Sequence, residues 1–372
     1  MITRRDFTKS LAGAVILSAL KTDLVWPFEV QKVSAKAAEL YRSSFVLDCN
    51  ALASIGYQLS GTGQQRLQDV LESGLTVLKS TLGGATGTFD ETMADITAAD
   101  QLMEKRSDLF LKVSAARDLD GARQQHKIGV IYSFETASML EDKVERIDLF
   151  RKRGVRIMQL SYNRRSAFGV GCLEGDAGGL TERGREAIAK MNEIGVALDL
   201  SHANTQTIAE GIAASKKPPI ISHSGCRSVY VHPRNVEDRE MKALADKGGV
   251  MGIYMLPYLT PSPKQPTVDD YMRHLEHALK TCGEDHVGVG SDVPLHVAEK
   301  DLEDMRRSVE QRKAAGISAP GEDRPAYIPE MNTPRKMEIV TDALLKRGYT
   351  SRVVQKVLGE NFKRVFGEIW IG

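Results

Sequence analysis

Two short apolar runs, Val196–Leu200 and Ile220–Ile221, each end in Ser-His. His202 and His223 therefore stand just past the ends of two strands, with room for one helix between them. This is the spacing of successive β-α units, whose crossover needs a dozen or more residues. Histidines at the carboxyl ends of neighbouring parallel strands point into the mouth of a barrel, where such folds keep their chemistry. Neutral imidazole is the commonest metal-ligating side chain. Each His could instead be a strand-end residue satisfied by hydrogen bonds, but two in matched contexts point to a shared metal site.

The β-α alternation continues along the chain. Strands are expected at Phe45–Leu47, Leu75–Leu78, Ile128–Ser133, Val155–Leu160, Val196–Leu200, Ile220–Ser222, Val250–Tyr254 and His286–Gly290. Helical spacing separates them, as in Ala187, Ile188, Met191 and Ile194. This predicts an α/β fold, a closed (β/α)8 TIM-type barrel of parallel strands. A ninth apolar run, Leu109–Val113, is read as an accessory strand. The charged segment Pro294–Pro334 is read as a long insertion after the last strand, partly helical at Asp301–Ala315, of the kind that shapes a substrate pocket.

Composition narrows the function. A net charge of +1 over 372 residues gives no reason to propose a nucleic-acid partner. Cys49, Cys172, Cys226 and Cys282 form no CxxC pair and no disulfide framework. No apolar run reaches the ~18 residues of a membrane span. At the amino terminus, Arg4-Arg5 with Phe7 and Lys9 precedes the mildly apolar stretch Leu11–Leu20. This reads as a twin-arginine (Tat) export signal, with a small-x-small cleavage site at Ala35-Lys36-Ala37. Residues 1–37 are accordingly taken as the signal and 38–372 as one barrel domain, exported to the periplasm.

Other strand ends carry chemistry too. Glu135 closes IGVIYSFE and could ligate or bridge metal ions, or serve as a helix N-terminal carboxylate. Asp292 ends VGVGSD, where a carboxylate can take a proton from activated water and pass it to a leaving group. Arg234, in HPRN, presents a planar cationic fork suited to a substrate carboxylate, or forms a surface salt bridge. Tyr162, in QLSYN, could offer a phenolic donor to a carbonyl oxygen. Cys49 and Cys226 have no evident His partner and are not read as nucleophiles.

The order Glu135, His202, His223, Arg234, Asp292 resembles that of the membrane (renal-type) dipeptidases, peptidase family M19. The blocks GGLTERGREAIAKMNEIGVALDLSHAN and ISHSGCRSVYVHPRN carry the resemblance, with FVLDCNALA, GVRIMQLSYN, GGVMGIYM, HVGVGSD and LGENFKRVF around them. It implies a (β/α)8 barrel that cleaves dipeptides and tolerates a D-residue at the second position. It implies two zinc ions sharing a bridging Glu, here Glu135, with His202 and His223 on one of them. Arg234 would hold the substrate carboxylate, and Asp292 would lie near the substrate amine and the attacking water. A homodimer is a further implication.

The departures from the family pattern lie in the site. Asn50 stands where the family has a metal-binding His, and Leu52 where it has a metal-binding Asp. Asn offers only a weak ligand oxygen, and Leu none. Tyr162 replaces a substrate-binding His, and Val293-Pro294 replaces Phe-Asp-Gly. The expectation is a metallohydrolase with an incomplete dinuclear site, about one zinc per chain, acting on a small peptide or related amide. Two alternatives stay open: a different reaction on modified peptides, or a non-catalytic small-peptide-binding protein.

Overall fold

The computed structural model describes residues 31–51 and 63–370. The twin arginine and Leu52 lie outside the described residues.

Ten strands form one parallel system: β1 (Leu47–Asp48), β2 (Val77–Thr81), β3 (Phe110–Lys112), β4 (Ile128–Phe134), β5 (Val155–Gln159), β6 (Ala197–Asp199), β7 (Ile220–Cys226), β8 (Asn235–Val236), β9 (Val250–Ile253) and β10 (Val287–Val289). Eight follow the order β1-β2-β4-β5-β6-β7-β9-β10. The Cys49 N–H donates to Val289 O at 3.0 Å, which joins the last strand to the first. The result is a nearly closed (β/α)8 barrel. β3 pairs with β4 outside this path, in the accessory place expected of Leu109–Val113. β8 has no apolar signature in the sequence. It pairs Asn235 and Val236 with Gly225 and Cys226 on β7.

Helix ends are written in the chain. Helix Glu182–Ile194 starts at Thr181, whose side chain accepts from the Gly184 N–H, and stops at Gly195 with φ 70°. A hydroxyl cap and a left-handed glycine stop are the strongest local helix boundaries. The helix buries Ala187, Ile188 and Met191, the stripe expected from the spacing.

The first described helix, Ala35–Ser43, is capped by Ser34 and packs against helix Lys336–Lys346. The Ser34 N–H also donates to Asp342 Oδ1 at 3.0 Å, and Ala37 is fully buried. The folded unit thus reaches back through the Ala35-Lys36-Ala37 triplet, and a cut behind Ala37 would remove the helix's cap and first turn.

Barrel-interior residues Leu47, Val77, Ile131, Ile157, Ile220 and Val250 share one apolar cluster with Phe362, Phe366 and Trp370 of the final helix, Asn361–Ile369 and its flank. This closes the amino-terminal end of the barrel. The carboxyl end is left for polar groups.

The insertion lies over that end. Its helix, Asp301–Ala314, buries no residue. The loop behind it is tied down instead by backbone acceptors: Asn163 Nδ2 donates to Ile317 O (2.7 Å), Arg164 Nε to Gly316 O (2.6 Å) and His232 Nε2 to Pro320 O (2.9 Å). Glu322 accepts from Tyr258 OH (2.8 Å) and Arg312 Nε (2.9 Å). The insertion therefore spans the loops after β5, β7 and β9.

Candidate active site

Five strands deliver Asn50, Glu135, His202, His223 and Asp292 to the barrel mouth; His223 lies within β7, which runs on to Cys226, and not past its end as the sequence suggested. Two buried aspartates brace these ends from inside the barrel. Asp48 accepts from the Asn50 and Ser291 N–H groups at 3.1 and 2.8 Å. Asp199 accepts from the Ser201 and Ser222 N–H groups, both at 3.0 Å, and from Gln159 Nε2. Gly290 matters for the same packing. A Cβ there would lie 1.9 Å from Ser222 O, so only glycine lets β10 and β7 approach.

His202 and Asp292 both adopt left-handed backbone, φ 66° and 55°. Such conformations cost of order 1–3 kcal/mol each in non-glycine residues and gather at functional sites.

The hydrogen-bond network sets both imidazole tautomers. Asn163 uses its amide N–H on Ile317 O, so its Oδ1 accepts, and His202 Nδ1 donates to it at 2.7 Å. Ser222 Oγ gives its proton to Asp199 Oδ2 and accepts from His223 Nδ1 at 2.8 Å. Both Nε2 atoms are then lone-pair acceptors, and they face each other at 2.9 Å. Burial, then the Arg234 charge, holds both imidazoles well below the usual histidine range, hence neutral. Two lone pairs aimed at one point form a donor set for a cation.

Carboxylates complete that set. Ligand atoms of Glu135, His223 and Asp292 all lie within 4.8 Å of one another. His202 is outside this trio but touches it through His223, and its Nε2 also accepts from Arg234 NH2 at 3.0 Å. The N/O donors, neutral imidazoles and converging carboxylates fit a divalent ion such as zinc.

Asn50 departs from expectation. Its Nδ2 donates to Glu135 Oε1 (2.9 Å) and Asp292 Oδ1 (2.8 Å). Its Oδ1, the only atom that could ligate a metal, instead accepts from Lys79 Nζ at 2.5 Å. In this structure Asn50 thus bridges the two carboxylates and turns its oxygen to Lys79. Lys79, on β2, is fully buried and also lies 3.9 Å from Glu135 Oε1. Its place in an ordinary strand run, LTVLKST, gave no signal of a site role, and neither did Asn163.

Asp292 sits 8 % exposed, its Oδ2 4.0 Å from His223 Nε2. Burial, followed by the nearby Glu135 carboxylate, pushes it well above the usual carboxylate range, against Arg234, Lys79 and Arg312. Arg234 is 3 % exposed and is not a surface residue. Among the described residues it has no carboxylate partner; its guanidinium lies 5.8 Å over the Tyr254 ring. The Tyr162 ring stacks on His202, centroids 4.1 Å apart, with its hydroxyl raised in pKa mainly by burial. All four thiols are free and buried, and burial pushes each one up, which disfavours a thiolate nucleophile.

Known proteins share this arrangement of chain. The dipeptidase tcpJ of Claviceps purpurea is 27% identical over 286 residues, 75% of this chain and 60% of that protein. This chain therefore spans less than two thirds of that relative. An amidohydrolase from Pseudomonas aeruginosa superposes with a TM-score of 0.78 at 33% identity, covering 90% of this chain and 99% of that one. A metallopeptidase from Rhodobacter sphaeroides, solved with a phosphinate mimic of the dipeptide L-Ala-D-Ala, shares the fold at a TM-score of 0.69 and 19% identity, covering 88% of this chain and all of that one. Residues 46–310 match the membrane dipeptidase family, and with its barrel and strand-end site the chain belongs to that family, peptidase family M19.

Proposed function

We propose that this chain is an exported metallohydrolase of dipeptidase type, cleaving a dipeptide or related amide at a site with one metal ion. The observation that carries it is the facing pair of Nε2 lone pairs on His202 and His223, beside Glu135 and Asp292. Glu135, His202 and His223 would hold the ion, with Asp292 beside it. When bound, it would supply Lewis-acid activation of water and of the scissile carbonyl.

The chain's own residues do the rest. Arg234, buried and without a carboxylate partner among the described residues, binds the carboxylate of the substrate and sets its register. Asp292 has Oδ1 fixed by Asn50, which leaves Oδ2 to accept the proton of the attacking water and return it to the departing amine. Tyr162 holds the His202 ring flat and presents its hydroxyl to the substrate carbonyl. The insertion, tied down at Asn163, Arg164 and His232, restricts water above the site. The dipeptide mimic bound by the Rhodobacter sphaeroides protein and the dipeptidase description of tcpJ support a small-peptide substrate. The Lys79–Asn50 pair favours a modified peptide or amide as a second reading, because it changes the charge next to the substrate amine's place.

The test is a dipeptide panel, including D-residues at the second position, with zinc-loaded protein. Hydrolysis is expected, falling roughly 100-fold or more in Asp292→Ala. Binding without turnover of any amide would overturn the hydrolase reading. Export rests on Arg4-Arg5: replacing both by Lys is expected to retain the protein in the cytoplasm. Unchanged periplasmic recovery would refute the twin-arginine route.

A further inference from the structure

We propose that the buried ammonium of Lys79, held by Asn50, supplies fixed positive charge in place of a second metal ion, so that the site takes one ion only.

The argument begins with two carboxylates. Glu135 and Asp292 converge at the barrel mouth, with ligand atoms within 4.8 Å. Like charges this close in a buried site are costly unless compensated. One Asn50 amide bridges them, donating to both. That bridge fixes which way the amide points, because only its NH2 can serve two carboxylates. Its oxygen is thereby turned to the opposite side, where Lys79 Nζ meets it at 2.5 Å. The same Nζ lies 3.9 Å from Glu135 Oε1, and Lys79 has no exposed side-chain surface. Among the described residues no other Lys or Arg pairs with Glu135.

Geometry and charge thus agree. Glu135 Oε1 is met by the Asn50 amide at 2.9 Å and by the Lys79 ammonium at 3.9 Å. A metal ion there would lack the Asn50 oxygen as a ligand and would meet the Lys79 charge. On the histidine flank the two Nε2 lone pairs face each other, the one on His202 also accepting from Arg234 NH2, and no lysine ammonium stands there. The proposal rests on the metallohydrolase reading for the ion at His202 and His223, but the charge role of Lys79 can be tested without that ion.

The experiment uses the full-length protein, stripped with a chelator and titrated with zinc. Zinc per chain is counted by elemental mass spectrometry, and melting temperature is recorded with and without zinc. Wild type is expected to bind one zinc. Lys79→Met without zinc is expected to melt lower than wild type, and zinc is expected to raise its melting temperature by more than it raises that of wild type. The double variant Lys79→Met with Glu135→Gln, which removes both charges, is expected to melt above the single variant when metal-free. If the single variant does not fold, folding of the double variant supports the proposal, and failure of both overturns it. Two zinc ions per wild-type chain would overturn it, as would an equal or smaller zinc shift in Lys79→Met. No zinc in wild type would overturn the metal reading of the site, while the metal-free melting order would still decide the role of Lys79.

Discussion

Asn163 shows how much of the site depends on residues that ligate nothing. Its Oδ1 accepts from His202 Nδ1 at 2.7 Å and from the Cys172 thiol at 3.3 Å, which keeps the proton on Nδ1 and leaves Nε2 an acceptor, where Arg234 NH2 donates in this structure. Partners of this kind are worth 10–100-fold in metal affinity. Asn163→Ala is therefore expected to weaken zinc binding by about 10–100-fold while leaving the barrel folded. Competition with a chromogenic chelator would show it; unchanged affinity would mean that Arg234 and the Tyr162 stack orient His202 alone. The histidines themselves are legible because they repeat one context, a strand followed by Ser-His. Asn163 and Lys79 are not legible, because an amide or a lysine in a strand run has the same local pattern whether it faces solvent or a site.

The insertion is the element most open to change. Its helix Asp301–Ala314 is mostly charged and fully buries no residue, with Leu302, Met305 and Val309 only partly covered, so much of the anchoring falls to a few hydrogen bonds. Glu322 gathers four of them, from Tyr258 OH, Ser318 Oγ, Ala319 N and Arg312 Nε, at 2.8–3.0 Å. Hydrogen bonds to a charged group contribute about 1.5–3 kcal/mol each in favourable settings. Glu322→Gln is expected to speed proteolytic nicking within 294–334 by roughly tenfold, for about 1.4 kcal/mol of lost anchoring, with little change in barrel melting. Limited proteolysis beside calorimetry tests this, and equal nicking rates would place the anchor elsewhere. Charge density and prolines mark this segment as an insertion in the sequence. Its docking onto the loops after β5, β7 and β9 is not marked, since the acceptors are backbone carbonyls that every residue has.

Acid should destabilise the whole molecule through histidines outside the site. Burial pushes both His232 and His274 down to about 4. His232 is held by Pro320 O at 2.9 Å, and His274 accepts from the Cys226 N–H at 2.9 Å while donating to Leu259 O. Unfolded, each titrates near ~6.5. The unfolded chain thus binds more protons between those values, and stability is full above ~6.5 and falls as pH drops toward 4. The loss is on the order of 3 kcal/mol per imidazole at the acid end. Melting of the metal-free protein is expected to fall steeply from pH 7 to 4.5. A flat profile would show that both rings stay charged in the fold.

Strand-then-helix alternation, hydroxyl caps and glycine stops are local, so the chain alone specifies the barrel, its eight staves and the accessory strand. The placement of Glu135, His202 and Asp292 at the mouth follows from them, because any residue just past a parallel strand must arrive there; His223 comes from within β7. Which of those groups meet is a matter of distances between strands. Only the closed barrel brings Lys79 of β2 under Asn50, turns that amide toward Glu135 and Asp292, and leaves two imidazole lone pairs facing each other. Long-range electrostatics decided the rest: a buried charge must find its partner across the barrel, and no local pattern encodes where that partner lies.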